Sequence, residues 1–477
     1  MKTLYDIAYF IIEYVIFGFT ILLFTTYILL AVISALHIRK YLRKSENTNY
    51  DLLLNSEIAP SVSIIAPAYN EGLTIVQNTR SLLSLYYSNF NLIVVNDGSS
   101  DNSLALLIEE FDLEPHQYPV FSEIPTKPIR NIYRSRNPSY SKLIVVDKEN
   151  GGKSDALNVG INLSESMYYL AVDVDSIIQD DAIIKIIKPF LDKSSKKVIA
   201  AGGVVRIANS CEVNKGRVVK VHFPKNFWAR FQVLEYIRAF LMGRIAWSRL
   251  EGLLLVSGAF GMFNREIVVA VGGYSTKTVG EDMELIVRMR RHMVDLKIPY
   301  KIVYIPDPLC WTIAPTDIRS LIRQRNRWMR GTIETLFKHR KICLNPKYKS
   351  LGMLGYPYWL LFEWMAPIIE IIGIVYFIII AFLGIPNWPF FFVLLFFVYF
   401  FSVTYSLWAF VFEEFSYHRY EKPSDIAKAL IAILIEPFLY HPFILFASIS
   451  ANFDKIRRKD SWGRVKRIQF DSQKAEK

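Results

Sequence analysis

The chain reads as an α/β protein whose doubly wound parallel sheet is flanked by transmembrane helices. Three observations predict this. Long charge-free apolar stretches sit at both ends of the 477 residues. Between about residues 50 and 350, short apolar runs alternate with amphipathic stretches, as strands and helices do in doubly wound folds. Polar clusters follow those apolar runs at once, where the carboxyl ends of parallel strands would lie.

Composition sets the limits. Hydrophobic residues make up 52% and charged residues 21%, with a mean hydropathy of +0.23. The apolar excess collects at the ends, which excludes an ordinary cytosolic enzyme, and the overall hydrophobicity excludes bulk disorder. Three scattered cysteines (Cys211, Cys310 and Cys343) build neither a disulfide framework nor a CxxC zinc site. A net charge of +12 and a pI near 9.3 suit nucleic acid, an anionic membrane surface or an anionic substrate.

Tyr14 to Leu36 is a run of 23 residues without Asp, Glu, Lys or Arg. As a helix it would span roughly 34 Å, enough to cross a bilayer. It is too long for a signal-peptide core, and no basic n-region or small-residue cleavage site flanks it. Arg39, Lys40, Arg43 and Lys44 follow directly. The positive-inside rule therefore places the following domain in the cytoplasm and the N-terminus outside.

The middle of the chain supplies the α/β alternation. SVSIIAPAYNE, FNLIVVNDGSSD, KLIVVDKEN and SMYYLAVDVDS read as strands ending in loops, and GLTIVQNTRSLLSL, DNSLALLIEEFD and GKSDALNVGINL as the helices between them. Runs such as LIVV are apolar on both faces, as buried parallel strands require. Residues 114–140 interrupt the pattern with five prolines and are expected to form a long inserted loop on the nucleotide side.

At the C-terminal end, Met365–Ile385 and Pro389–Phe412 read as two spans joined by an IPNWP turn. Ile426–Ser450 carries Glu436-Pro437 and His441-Pro442 near its middle, so it either spans or is broken and re-entrant. Three full spans would put the tail outside, yet the basic sequence DKIRRKDSWGRVKR favours the cytoplasm. Glu363 and Glu370 either anchor at the interface or line a polar path. The expected organisation is an anchor over 1–44, a cytoplasmic domain over 45–312, interface helices over 313–364, a C-terminal membrane region over 365–452 and a basic tail over 453–477.

The polar clusters carry the chemistry. Asp173 and Asp175 stand at period two on a strand end, so their carboxylates face one side and suit Mg²⁺ or Mn²⁺ with phosphates completing the shell. Asp180 and Asp181 read as helix caps. Asp97 either accepts from a nucleobase N–H or ribose, or makes an Asx turn capping the helix near Asp101. Lys153 suits a phosphate, and Asp155 either caps its helix or meets ribose. The ENGGKS segment lacks the GxxxxGK[ST] spacing, which argues against an ATP-type phosphate loop. Gly280-Glu281-Asp282 opens a helix; its acids either answer the helix dipole or supply a general base that takes a proton from a sugar hydroxyl. Thr316 to His339 reads as a long amphipathic helix with five arginines and Trp328, suited to a membrane interface or, through arginine, to a pyrophosphate.

Taken together, PAYNE, VNDGSSD, the DVD strand end, GED and Gln324-Arg325-Asn326-Arg327-Trp328 occur in the order of inverting glycosyltransferase family 2. The last five match the QxxRW motif of its processive membrane branch. The chain thus resembles the synthases of bacterial cellulose, hyaluronan, chitin oligosaccharides and poly-N-acetylglucosamine over roughly residues 60–340. The resemblance implies a Rossmann-like GT-A domain with a parallel-rich mixed sheet. It implies that Glu71 and Asp97 contact uridine with Tyr69 nearby, that Lys153 and Asp155 lie beside the nucleotide, that Asp173 touches the diphosphate and Asp175 holds the metal. Asp282 would be the base. Glu281, Gln324, Arg327 and Trp328 would serve the pyrophosphate and the acceptor sugar, and Ser257-Gly258-Ala259-Phe260 would touch the acceptor terminus. Trp462-Gly463 is similar to a cytoplasmic element of some relatives.

The implied reaction is polymerisation of a β-linked glycan from a UDP-sugar, with UDP-N-acetylglucosamine ahead of UDP-glucose. The product would leave through the chain's own helices in the cell (inner) membrane. No regulatory domain follows the membrane region, which argues against a bacterial cellulose synthase proper. The small number of spans implies an accessory membrane subunit or a homo-oligomer. Alternatives are transfer of one sugar to a lipid carrier and a non-catalytic nucleotide-binding membrane protein. Nucleic acid is not an expected partner, since the arginines cluster beside the membrane segments and no reader motif appears.

Overall fold

The alternating apolar runs form the strands expected of them. In this computed structural model, residues 2–46, 59–214, 216–384, 386–417 and 420–457 are described. The basic tail beyond residue 457, with Trp462-Gly463, lies outside the described residues. Helix α1 (Lys2–Glu46) leads in. Then come β1 (Val62–Ala68), α2 (Ile75–Leu83), β2 (Phe90–Asn96), α3 (Ser103–Glu110), β3 (Leu113–Pro115), β4 (Ile129–Ser135), β5 (Leu143–Lys148), α4 (Lys153–Leu163) and β6 (Tyr168–Val172). β7 (Ile177–Ile178), α5 (Ala182–Leu191), β8 (Lys197–Ile207), β9 (Glu212–Asn214), β10 (Arg217–Lys220) and α6 (Phe227–Tyr236) follow. The domain ends with β11 (Phe260–Asn264), α7 (Arg265–Ala270), α8 (Glu281–Asp295) and β12 (Tyr300–Thr312).

Strand order in the main sheet is β3-β4-β5-β2-β1-β6-β11-β8-β12-β7. The block β5-β2-β1-β6 is parallel. Its residues are buried on both faces; Ile64, Ile65, Leu92, Val94, Val145 and Leu170 are all fully enclosed. Each such side chain contributes about 1.5–3 kcal/mol by leaving water. β11 runs antiparallel to both β6 and β8, while β12 is parallel to β8. The sheet is therefore mixed and parallel-rich, as the family resemblance implies.

One correction concerns residues 114–140. They are not one loop: β4 pairs antiparallel with β5, and β3 forms the edge beside it. Of β4's side chains only Ile132 is buried. A strand covered at one position shows no clear alternation, and the flanking Pro115 and Pro128 mask it further.

The remaining helices lie beyond the sheet. α9 (Ile318–Lys338) is the predicted amphipathic helix, capped by Asp317, which accepts from Ser320 N at 2.9 Å. A helical run over Leu351–Phe382, with π-helical turns in its first half, ends in α10 (Ala366–Phe382). The interface segment and the first C-terminal apolar stretch are thus continuous. α11 (Trp388–Tyr417), α12 (Pro423–Leu439) and α13 (His441–Ile456) complete the chain.

Among the described residues, three helices, Ile12–Lys44, Leu351–Phe382 and Trp388–Tyr417, are long and apolar enough to cross a membrane. They expose Val15, Leu22, Leu29, Leu36, Phe382, Phe392 and Phe396, an apolar surface that water would not tolerate over such an area. α12 and α13 bend by 46° at their junction, where Pro437 and Pro442 interrupt the helix ladder. The stretch expected either to span or to break is broken. α13 packs against α9: Asn326 Nδ2 donates to Ser450 Oγ at 2.9 Å and to Asp454 Oδ2 at 3.0 Å.

Candidate active site

The chain leaves β1 for β2 and then β5 on one side, and returns through α4 to β6 on the other. A crevice therefore opens outside the carboxyl ends of β1 and β6, where such sheets bind ligands. Tyr69 and Glu71 follow β1, Asp97 follows β2, Lys153 and Asp155 open α4, and Asp173 and Asp175 follow β6. The five strand-end positions that the sequence singled out meet along this one edge.

At the β2–β5 end the carboxylates are buried and held. Asp97 accepts from Lys148 Nζ at 2.7 Å and Gly151 N at 2.9 Å through Oδ1, and from Gly152 N at 2.7 Å through Oδ2. Gly152 holds φ +85°, a left-handed conformation that glycine alone adopts readily, and this turns both amides toward Asp97. Asp97 is thus not a cap for the next helix. Near that helix Asp101 takes the local role, accepting from Ser103 N and Gly72 N, each at 3.0 Å. Asp155 likewise does not bond its own helix's amides; it meets Lys148 Nζ at 2.7 Å and Lys127 N at 3.1 Å. Glu71 is buried and Tyr69 is exposed. Asp181 precedes α5 without a capping bond and pairs with Lys185, and Asp180 pairs with Arg217.

At the β6–α8 end, charges crowd a single stretch of backbone. Asp282 is the second residue of α8; its Oδ2 accepts from Gly258 N at 3.0 Å and its Oδ1 from Met283 N at 2.8 Å. Lys153 Nζ donates to Gly258 O at 3.1 Å and pairs with Asp173 Oδ1. Gly258 is therefore gripped from both sides. A Cβ there would stand 3.3 Å from Asp282 Oδ2 and 3.3 Å from Lys153 Nζ, so the missing side chain keeps the pair apart yet close. Ala259 O takes Asp173 N at 3.4 Å, which ties this segment to the DVD strand end.

The electrostatics follow from the crowding. Burial and the neighbouring Asp282 push the Glu281 carboxyl up to about 7, against the opposing pull of Lys153 and Arg327. Burial alone would lower the Lys153 ammonium, but Asp173, Glu281 and Asp282 outweigh it and raise it. Arg327, on α9, is thus within electrostatic reach of the acids on α8.

A backbone contact brings α9 that close. A Cβ on Gly280 would lie 2.6 Å from Gly331 Cα, so the entry of α8 and the middle of α9 touch without side chains. On α9, Trp328 is 40% exposed with the Arg325 guanidinium 4.1 Å from its ring centroid. Gln324 Oε1 is buried without a hydrogen-bond partner among the described residues. Arg325, read as part of a basic face, is instead buried, bonding Glu235 at 2.8 Å. Sequence reasoning missed Lys148, Gly331 and the Arg325–Glu235 pair. Only Lys148 left a trace: with Asp147 it ends an otherwise apolar strand.

Among the described residues, no group of three or more His, Cys, Asp or Glu side chains forms a metal cluster. Asp173 and Asp175 offer hard oxygens at the crevice, so they fit a divalent cation whose remaining ligands come from phosphate.

Together, the open mixed sheet, the crevice at its switch point and the helices of membrane-spanning length define an α/β protein compatible with a membrane setting. The chain belongs to the glycosyltransferase like family 2, which matches residues 59–331. It is 31% identical over 330 residues to poly-beta-1,6-N-acetyl-D-glucosamine synthase of Staphylococcus epidermidis, covering 68% of this chain and 66% of that protein. It is 30% identical over 304 residues to the enzyme of the same name from Staphylococcus aureus strain COL, covering 63% of this chain and 60% of that one. The match spans just under two thirds of these relatives. In fold it is similar to mannosyltransferase PcManGT from Pyrobaculum calidifontis, solved with GDP-Man and Mn2+, at a TM-score of 0.52 and 15% identity, covering 94% of this chain and 100% of that one.

Proposed function

We propose that the chain is a membrane-embedded, processive, inverting glycosyltransferase that builds a β-linked polysaccharide from UDP-N-acetylglucosamine and exports it. The observation that carries this reading is the convergence of Asp282 and Lys153 on Gly258 beside Asp173. A base, a diphosphate ligand and an acceptor-side backbone then share one small space.

In this reading the acceptor hydroxyl lies against Gly258 and Ala259. Its oxygen attacks the anomeric carbon from the face opposite the diphosphate while Asp282 takes the proton. The bond from the anomeric carbon to the phosphate oxygen breaks, and UDP leaves with the electron pair. Lys153 and Arg327 meet the negative charge on the leaving group. A Mg²⁺ or Mn²⁺ ion at Asp173 and Asp175 would supply further positive charge there. Glu71, Asp97 and Asp155 take the nucleoside, and Trp328 and Gln324 the acceptor sugar. The names of the staphylococcal relatives support N-acetylglucosamine as the sugar.

Arg39, Lys40, Arg43 and Lys44 after the first span support a cytoplasmic catalytic domain with the N-terminus outside. Polar groups between the helices support export: Arg238 donates to Ser406 Oγ at 2.6 Å and Glu436 Oε2 at 2.7 Å. The test is UDP release by the detergent-purified chain with Mg²⁺ or Mn²⁺ against a panel of UDP-sugars, with the product sized. Release with UDP-N-acetylglucosamine and a polymer are expected. A single sugar on an extractable lipid would defeat the polymerase reading, and UDP binding without turnover of any donor would defeat the enzymatic one.

A further inference from the structure

Lys148 ends β5 with its side chain wholly enclosed. An ammonium leaves water only when paired and hydrogen-bonded. Here Nζ reaches Asp97 Oδ1 at 2.7 Å and Asp155 Oδ1 at 2.7 Å, and it donates to the Glu149 carbonyl. All three of its hydrogens are committed. Its two acids come from different elements, the end of β2 and the first turn of α4.

The geometry fixes what Asp97 can still do. Its Oδ1 carries two donors, Lys148 Nζ and Gly151 N, whereas Oδ2 carries one, Gly152 N. A carboxylate oxygen accepts about two hydrogen bonds, so one lone pair on Oδ2 remains for an N–H donor. Without Lys148, two buried carboxylates would face each other across an empty site, and at least one would rotate or take a proton.

We infer that Lys148 is the positioning residue of the nucleoside pocket. It sets the rotamer of Asp97 so that the open Oδ2 lone pair meets the imide N–H of uracil. Through Asp155 it also fixes α4, whose first residue is Lys153. This rests on the reading that the crevice takes a UDP-sugar. Uracil presents N–H at N3, whereas cytosine presents an acceptor there, so the arrangement discriminates UDP from CDP.

The test uses calorimetric binding of UDP and CDP to the full chain in detergent, with steady-state UDP-N-acetylglucosamine turnover alongside. Lys148→Met should raise the UDP Kd and the donor KM at least about tenfold, keep kcat within about threefold and collapse the UDP-over-CDP preference. General loosening of the fold would weaken both nucleotides alike and leave that preference intact, which would overturn the inference. The charge-balanced double variant Lys148→Met with Asp155→Asn serves where the single variant does not fold. It too should show a reduced UDP-over-CDP preference; wild-type preference in it overturns the inference. A wild-type chain that fails to bind UDP overturns the donor reading itself, and that result is visible before any variant is made.

Discussion

The two ends of the crevice handle buried acid in opposite ways. Around Asp97 and Asp155 every carboxylate meets an ammonium or backbone amides, so the acids are satisfied before any ligand arrives. Around Glu281 and Asp282 two acids stand side by side at one helix start, and burial together with Asp282 pushes Glu281 up to about 7, with Lys153 and Arg327 only partly offsetting the rise. On the proposed reading the difference separates a binding end from a reacting end: a satisfied cluster holds its shape, while a crowded one changes state when charge enters or leaves.

Substitutions can break or sharpen that contrast. Apart from Asp282, the largest effect is expected at Lys153, which touches both Asp173 and Gly258 O. Lys153→Met removes a cation from the reacting end and should lower UDP release by about 10²–10³-fold, the usual loss of one charge-stabilising group. A loss below fivefold would remove it from the leaving-group site.

Next comes Glu284, one turn into α8 and fully enclosed. It bonds Arg288 and Lys338 at 2.7 Å each and His339 at 3.3 Å, joining α8 to the end of α9. Burial alone would raise this carboxyl, but His339, Arg288 and Lys338 hold it well below the usual carboxylate range. Glu284→Gln should therefore cost about 3 kcal/mol of stability, since it removes the enclosed charge that the mostly buried Arg288 and the enclosed His339 face. A depressed carboxyl stabilises the fold above its unfolded pKa and loses that contribution as pH falls through the folded value. The melting gap between wild type and variant should thus be full at pH 7, persist at pH 5 and shrink only below the ordinary carboxylate range.

A smaller effect is expected where α8 meets α9. Gly331→Val forces a side chain into the Gly280 backbone and should cost about 1–3 kcal/mol, the usual effect of overpacking. Thermal melting measures that cost, and turnover should fall with it because Arg327 withdraws from the acids. Unchanged melting would mean that the two helices are free to separate.

The smallest effect concerns Glu281. Its raised pKa means that the folded state binds a proton the unfolded chain has released, so ionising it costs stability from about pH 4.5 up to about 7. Glu281→Gln should melt above wild type at pH 8, with the difference closing toward pH 5. A difference of constant size across that range would remove the crowding argument.

Much of this was legible in the sequence, for physical reasons. Strands buried on both faces must be continuous apolar runs, and the polar residues that stop them mark their carboxyl ends. That is why Tyr69, Glu71, Asp97, Asp173 and Asp175 stood out together. The helix holding Gln324, Arg327 and Trp328 showed through its period and its Asp317 cap. Lys148 did not, because its partner Asp97 lies 51 residues away and a lysine at a strand end ordinarily faces water. Gly331 did not, because close backbone approach leaves only the absence of a side chain. β3 and β4 did not, because a strand covered at one position has no alternation to read. The mixed strand direction was legible only through the family resemblance, since the antiparallel β11 has the same apolar texture as its parallel neighbours.

The most direct measurement takes Asp282→Asn in the full chain and follows UDP binding and UDP release from UDP-N-acetylglucosamine side by side. If one end binds and the other reacts, UDP affinity stays within about threefold of wild type while release falls by about 10²–10⁴-fold, the span of general-base catalysis. Release near the wild-type rate, or binding lost in step with release, would contradict the account.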